Sequence, residues 1–443
     1  MSLARRVLAM GAAAAVLVTG GCIFHAPEDS GRSQWVVPPL PADVWPARRT
    51  HDLEAIAAAT GDRMYMLSDF DYRGMSEELF HESVQWWEQK YPGTVTDDLE
   101  NRRIMLRRPI SEILRTQAHG MGVVREVRSI ESGDSDSDPD APLELVFISY
   151  RADDRTFHEL PNYIELERKD DVEYMYNSWR LRLLEPLSSP VRGLVVYLGT
   201  PLGGQSYEEP IVNELRSRGW AVLETRGPKG HWRNLKEIDT SPKPADWDKL
   251  VAILAADINN QMADHAYSVE AALSFLAKNR PDVPQETIVG LGFSAGALAM
   301  PTVAARLGDR IDAVVLIGGG ANILGISQNS ALTNGGLEIQ LDPGETTITW
   351  EQTMQTYLKL AGLDPYNTAP LLTDTPVLVY HAAFDRIVPA KYGRMLIGRL
   401  GRPERYTILG GHAILFWRLP SQAKTIADWI GSAVGKPPVP SAQ

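Results

Sequence analysis

The sequence predicts an α/β fold: a doubly wound, mostly parallel sheet with an N-terminal extension and a lid insertion. Three observations predict it. Gly193-Leu-Val-Val-Tyr-Leu198 is a wholly apolar run of strand length, as expected for a central parallel strand covered on both faces. From there to the C-terminus, strand-like and helix-like stretches alternate, the pattern of parallel strands joined by helical crossovers. Thr287 to Ala297 reads as a buried strand running straight into a helix, with Gly292-Phe293-Ser294-Ala295-Gly296 at the corner. In such a sheet, ligands bind beyond the carboxyl ends of the strands.

At 443 residues the chain suits one large domain with insertions or two smaller ones. Its 44% hydrophobic and 23% charged residues are those of a globular protein. A net charge of -12, with no clustered basic stripe, argues against nucleic acid as a partner.

Residues 1–22 read as a targeting segment. Arg5 and Arg6 form a positive start, and Val7 to Val18 is an apolar run too short to span a bilayer as a stable helix. Small residues Thr19-Gly20-Gly21 then lead to Cys22, the one cysteine of the chain. The segment resembles a bacterial lipoprotein signal, in which the cysteine thiol is lipidated and becomes the new N-terminus; Thr19 stands where such signals carry a Leu-like residue. The resemblance implies export, a membrane partner through a lipid anchor at Cys22, and a place in the bacterial envelope on its periplasmic or extracellular face. An ordinary secretory signal cleaved nearby is the alternative.

Residues 23–50 are rich in Pro and Ala and read as an extended tether. The region 51–142 reads as a helical extension. Phe80, Val84, Trp87 and Tyr91 lie on one helical face, which Pro92-Gly93 ends, and a shorter helix is expected from Pro109 over Ile110, Ile113 and Leu114. Ser129 to Pro142 is an acidic loop. Its aspartates have a calcium-loop rhythm, yet Pro139 stands at the turn glycine and Leu145 at the bidentate Glu, so a solvated loop is the better reading.

The core domain spans 143–434, with a tail at 435–443. Strands are expected at Leu145–Tyr150, Trp179–Leu183, Gly193–Leu198, Trp220–Glu224, Ile311–Ile317, Pro376–Tyr380 and Tyr406–Leu409. Helices are expected over 211–218, 257–279 and 420–434, and after Ser294, where Pro301 bends the helix or marks its first turns. The alternation breaks between about 323 and 374. There Thr349-Trp-Glu-Gln352 is a capping-box start for a helix with the apolar face Trp350, Met354, Tyr357 and Ala361. An inserted helix after a core strand is a candidate lid.

Gly292 to Gly296 fits G-x-S-x-G, in which a serine sits on a sharp strand-to-helix turn. A serine hydroxyl is a weak nucleophile and needs a base to take its proton and an acid to orient that base. On a strand–turn–helix scaffold the order along the chain is Ser, acid, His. Asp385 lies just past the strand Val377-Leu-Val-Tyr380, and His412 follows the strand Tyr406–Leu409 through Gly410-Gly411. His381 and His412 both lie downstream of Ser294, and of the two His412 alone also follows Asp385.

On these motifs the stretch from about 145 to 434 resembles the α/β-hydrolase superfamily. The resemblance implies Ser294 as nucleophile, Asp385 as orienting acid and His412 as general base and then general acid, with His381 structural. It also implies an oxyanion hole built from the Ala295 N–H and an N–H in the loop after Leu198. Thr200 is the better candidate there, Leu202 the alternative, and Pro201 has no N–H to give. Gly318-Gly319-Gly320 reads as a flexible strand exit, since no Lys-Ser/Thr follows it as in a phosphate loop. The expectation is a metal-independent, cofactor-free serine hydrolase that cleaves small-molecule or polymer-borne carboxylic esters through an acyl-enzyme. The rivals are a peptidase of prolyl-oligopeptidase type and a catalytically silent hydrolase fold used for binding.

Overall fold

The computed structural model describes residues 23–28, 40, 44–45, 65–71, 76–90, 92, 95–100, 102–109, 122–123, 143–153, 173–200, 205–226, 247–332 and 349–434. The signal segment with Cys22, the Pro109 helix beyond Pro109 itself, the acidic loop, Leu202 and the tail lie outside the described residues.

In chain order the N-terminal elements are β1 (Ile23–Ala26), β2 (Tyr65–Asp71), α1 (Glu77–Lys90), β3 (Val95–Asp98), β4 (Arg103–Pro109) and β5 (Gly122–Val123). The strands β6 (Leu143–Asp153), β7 (Glu173–Leu184) and β8 (Gly193–Leu198) follow, then α2 (Gln205–Ser217), β9 (Trp220–Arg226), α3 (Trp247–Asn279), β10 (Ile288–Phe293), α4 (Ala295–Leu307) and β11 (Ala313–Ile317). The chain continues with α5 (Ile323–Asn329), α6 (Trp350–Leu360), α7 (Pro365–Thr368), β12 (Val377–Ala382), α8 (Ala390–Arg399), β13 (Glu404–Ile408), α9 (His412–Arg418) and α10 (Ala423–Ala433).

Ten strands form one sheet in the order β1-β13-β12-β11-β10-β8-β9-β7-β6-β5. The strands from β13 to β9 run parallel, and β1, β7, β6 and β5 add antiparallel edges. Every residue of β8, β10, β11 and β12 is buried, because helices cover both faces. One core packs α3, α4 and α6 on the sheet; the opposite one packs α2, α9 and α10. The chain leaves β8 towards β9 on one side and returns to β10 on the other. The crevice beside β8 and β10 is therefore the topological switch point where such sheets bind ligands.

The predicted core strands and the Ser294 corner are all present. Helix α3 starts ten residues before the expected 257, and its early turns bury Trp247, Leu250, Val251 and Leu254 on one face. Ile258 and Met262, both fully buried, continue that face. The Asn259 side chain accepts from the Leu363 N–H at 2.9 Å and donates to the Leu360 carbonyl at 3.0 Å, fastening α3 to the segment after α6.

Two expectations change. The stretch read as a tether is docked wherever it is described. Residues 23–26 add β1 to the sheet edge, and His25 lies 4.7 Å from the Tyr406 ring and 2.9 Å from Glu404. Farther on, the Trp45 ring is covered by the Arg306 guanidinium at 5.2 Å, and Leu40 and Val44 pack on the core. Ile23, Leu40, Val44 and Trp45 find apolar surface, and their burial outweighs the extended bias of the stretch's prolines. The extension also differs from a purely helical reading: α1 is where the periodicity put it, with Phe80 fully buried, but β2, β4 and β3 form a separate antiparallel sheet. Pro109 ends strand β4 there.

The capping box of α6 is present, Thr349 Oγ1 accepting from the Gln352 N–H and the Gln352 side chain accepting from the Thr349 N–H. Its stripe faces inwards. Tyr357 and Ala361 are fully buried and Met354 nearly so, all within the core that includes α3. This stripe is core packing. Buried Asp364 locks the arrangement by accepting from the Asn322 and Ile323 N–H groups and from the Tyr357 hydroxyl.

Two exposed helix glycines, Gly398 in α8 and Gly431 in α10, have nothing within 4 Å of an added Cβ. Gly398→Ala and Gly431→Ala are each expected to raise stability by about 0.5–1 kcal/mol, read as a denaturant midpoint shift. Activity should not change.

Candidate active site

The site begins with backbone geometry. Ser294 lies between β10 and α4 at φ 51 and ψ -114, a left-handed conformation that few non-glycine residues adopt. Its N–H donates to the Ile317 carbonyl at 2.8 Å, and its own carbonyl accepts from Ala297 and Leu298, so β11 and the first turn of α4 hold the strained corner from both sides. The flanking glycines permit the approach. A Cβ on Gly296 would lie 2.0 Å from the Leu198 carbonyl oxygen, and one on Gly292 2.7 Å from that of Gly296. The glycines thus avoid collisions with strand β8 and with the first turn of α4.

The three residues expected in sequence meet here. His412 Nε2 is 3.0 Å from Ser294 Oγ, and His412 Nδ1 is 2.6 Å from Asp385 Oδ2. Asp385 is 6% exposed and His412 9%, so little water competes for either contact. The other Asp385 oxygen accepts from the Ile387 N–H at 2.8 Å and the Val388 N–H at 3.0 Å, which fixes the carboxylate's rotation. Its loop is tied to the end of β13, Ala383 and Phe384 donating to the carbonyls of Ile408 and Gly410 at 2.9 Å each. One linked loop pair thus carries both acid and base.

Gly318 has a larger part than a flexible strand exit. It sits at φ +66, and a Cβ there would lie 3.1 Å from His412 Cε1 and 3.2 Å from Phe416. The missing side chain is the space in which the imidazole stands, with the Phe416 ring 4.9 Å from the imidazole. His381 is buried in β12 against Gly393; burial lowers its pKa against the opposing pull of Asp385, which favours the neutral ring. The site's base is His412.

Glu208 carried no signal in the sequence and proves central to the loop after β8. It is 1% exposed, and its carboxylate accepts from the Tyr197 hydroxyl. Burial pushes that carboxyl up, while hydrogen bonds from Tyr197 and from the side chain and backbone of Thr200 pull it down. Thr200 is thereby held by Glu208, and its backbone N–H is given to that carboxylate instead of serving as the oxyanion donor expected from the sequence. Ala295, 8% exposed, opens α4, where first-turn N–H groups have no partner inside the helix. Among the described residues no group of His, Cys, Asp or Glu is placed to hold a metal ion, and no helix is long and apolar enough to cross a membrane.

Asp385→Asn tests the relay. The amide oxygen can keep the Ile387 and Val388 hydrogen bonds, so the amide NH2 must face His412 Nδ1 and impose the wrong tautomer. A fall in kcat of about 10⁴-fold with little change in stability is the expected result.

No protein-family model and no curated protein matches the chain. Solved structures do. Est1E from Butyrivibrio proteoclasticus is 16% identical, with 62% of this chain and 98% of that one covered at a TM-score of 0.41. A Pyrococcus horikoshii acylaminoacyl peptidase is 15% identical over 58% of this chain and 40% of that one, at 0.39. A 2,6-dihydroxy-pseudo-oxynicotine hydrolase is 17% identical over 58% and 65%, also at 0.39. The chain's own sheet order, its strained corner serine and the order Ser294, Asp385, His412 along the strand ends are those of an α/β-hydrolase-type fold bearing a serine-hydrolase triad.

Proposed function

We propose that the protein hydrolyses carboxylic esters through an acyl-enzyme, and the observation that carries this is the His412 ring bridging Ser294 Oγ and Asp385. His412 Nε2 takes the Ser294 proton as Oγ bonds to the ester carbonyl carbon. The resulting oxyanion is held by the Ala295 N–H and by an N–H of the loop after β8, where Leu202 is the donor because the Thr200 N–H is given to Glu208. The tetrahedral species collapses, the alcohol leaves with the proton from His412, and Ser294 stays acylated. Water then gives its proton to His412 and its oxygen to the carbonyl carbon, releasing the acid and restoring the serine.

The segment before Ile23 supports export and anchoring as a bacterial envelope lipoprotein. In that reading Cys22 Sγ takes a diacylglyceryl group from a phospholipid, its proton leaving with the displaced phosphate headgroup. Hydrolysis of the Gly21–Cys22 bond then makes Cys22 the N-terminus.

A fluorophosphonate probe with a fluorescent tag tests the hydrolase assignment. The wild-type protein should label at Ser294 and cleave short p-nitrophenyl esters, and Ser294→Ala should do neither. Folded wild-type protein that neither labels nor turns over would mark the silent fold, and cleavage of peptide amides without esters would mark a peptidase.

A further inference from the structure

The rim beside the triad is apolar and exposed. Phe384, directly before Asp385, is 68% exposed, and Leu409, three residues before His412, is 41% exposed. Phe24 of β1 is 54% exposed. The backbones of the three are neighbours, the Phe384 N–H being bonded to the Gly410 carbonyl and Phe24 pairing with Thr407, two residues before Leu409. Exposed Arg386 and Lys391 stand on the adjoining loop and helix. Aromatic and aliphatic tips with cationic neighbours suit a surface with an apolar interior and anionic headgroups.

The register of β1 says what covers this rim. Pairing is antiparallel with Ile23 opposite Ile408, so β1 enters the fold at the carboxyl ends of the parallel strands and leaves towards their amino ends. Ile23 therefore stands at the carboxyl end of β13, on the same edge as Ser294, Asp385 and His412. Cys22 is the residue directly before Ile23 in the sequence. With β1 paired, and with Leu40, Val44 and Trp45 docked farther along, no slack chain separates the attachment point from the domain.

We propose that the lipid on Cys22 seats the carboxyl edge of the sheet on the bilayer, with Phe24, Phe384 and Leu409 entering the headgroup region, and that the triad acts on acyl esters of membrane glycerolipids. This rests on the lipidated-Cys22 and ester-hydrolase readings. A bilayer fits better than a second protein, because the attachment point fixes the distance and the facing of this one edge. Adjacent strands lie about 4.8 Å apart, so the edge at β1 is about 10 Å from β12, whose loop carries Asp385. The anchored edge and the catalytic edge are the same.

The test uses the full chain expressed in a bacterium and reconstituted in vesicles of phosphatidylethanolamine and phosphatidylglycerol. Intact mass should show a diacylglyceryl group on Cys22. That modification leaves a cysteine introduced elsewhere as the one free thiol, so Leu409→Cys and, at the opposite edge, Glu286→Cys take a bimane label cleanly. Headgroup-depth spin-labelled lipid should quench the label at 409 and leave the one at 286 bright.

Inserting about eight Gly and Ser residues between Cys22 and Ile23 should restore free tumbling, cutting fatty-acid release from vesicle lipid about tenfold or more. Turnover of soluble p-nitrophenyl butyrate should stay unchanged. An unmodified Cys22, equal quenching at both positions, or no effect of the insertion on vesicle hydrolysis overturns the proposal. Soluble ester hydrolysis without any lipid hydrolysis also overturns it while the ester-hydrolase reading survives, whereas absence of both activities sinks that reading itself.

Discussion

Ser294→Gly is expected to abolish hydrolysis and to stabilise the fold in the same stroke. The loss follows from the site: without Oγ there is no nucleophile, and a triad stripped of its serine typically loses about 10⁶-fold in kcat. The gain follows from the backbone. At φ 51 and ψ -114 a side chain is strained, and such conformations cost on the order of 1–3 kcal/mol for any residue but glycine. Glycine's greater freedom in the unfolded chain offsets about 0.5–1 kcal/mol of the relief. A net stabilisation of about 1 kcal/mol should remain. Ser294→Ala makes the comparison sharp, since it loses the same activity and keeps the strain, so its stability should stay near wild type. Urea midpoints of the three proteins, measured beside p-nitrophenyl butyrate turnover, decide it. A glycine variant less stable than the alanine variant would show that the corner is not strained.

What the sequence made legible has a physical pattern. The central strands were readable because burial on both faces leaves apolar runs such as Gly193–Leu198, and the triad because each member follows such a run. Elements stabilised by distant partners were not. Ile23-Phe-His-Ala26 is too short to show a period, and its pairing depends on β13, with the His25 contact to Glu404 spanning 379 positions. The same holds for Glu208, one acidic residue in a helix until the Tyr197 hydroxyl and Thr200 are seen beside it. The α6 stripe was legible as a stripe and ambiguous in direction. Asn259, about a hundred residues upstream, and Asp364, just past the helix end, are what turn it inwards. Gly318 looked like slack for want of a visible neighbour, and His412 is that neighbour, 94 residues downstream.

The tightest constraint on the site is at Gly296, and Gly296→Ala should do more structural damage than any triad substitution. An added methyl would meet Leu198 at three atoms of β8, the carbonyl oxygen at 2.0 Å, the carbonyl carbon at 2.6 Å and Cβ at 2.8 Å. Two of these are backbone, so no rotamer change makes room, and α4 must move away from β8. Both are central and fully packed, so a cost of about 3 kcal/mol or more is expected, seen as a lowered urea midpoint or as insoluble protein. Whatever folds should still be impaired. Displacing α4 by about 1 Å shifts Ser294 and Ala295 relative to the loop that leaves β8 at Gly199 and Thr200, and misplacement of that size costs about 10²-fold in rate. Gly431→Ala, the same chemical change on an open helix face, separates a local clash from any general effect of adding a methyl group. A Gly296→Ala protein with wild-type midpoint and rate would mean that strand and helix part freely. The contact that excludes a methyl group is the one that brings the oxyanion loop to the nucleophile, so stability and turnover should fall together here.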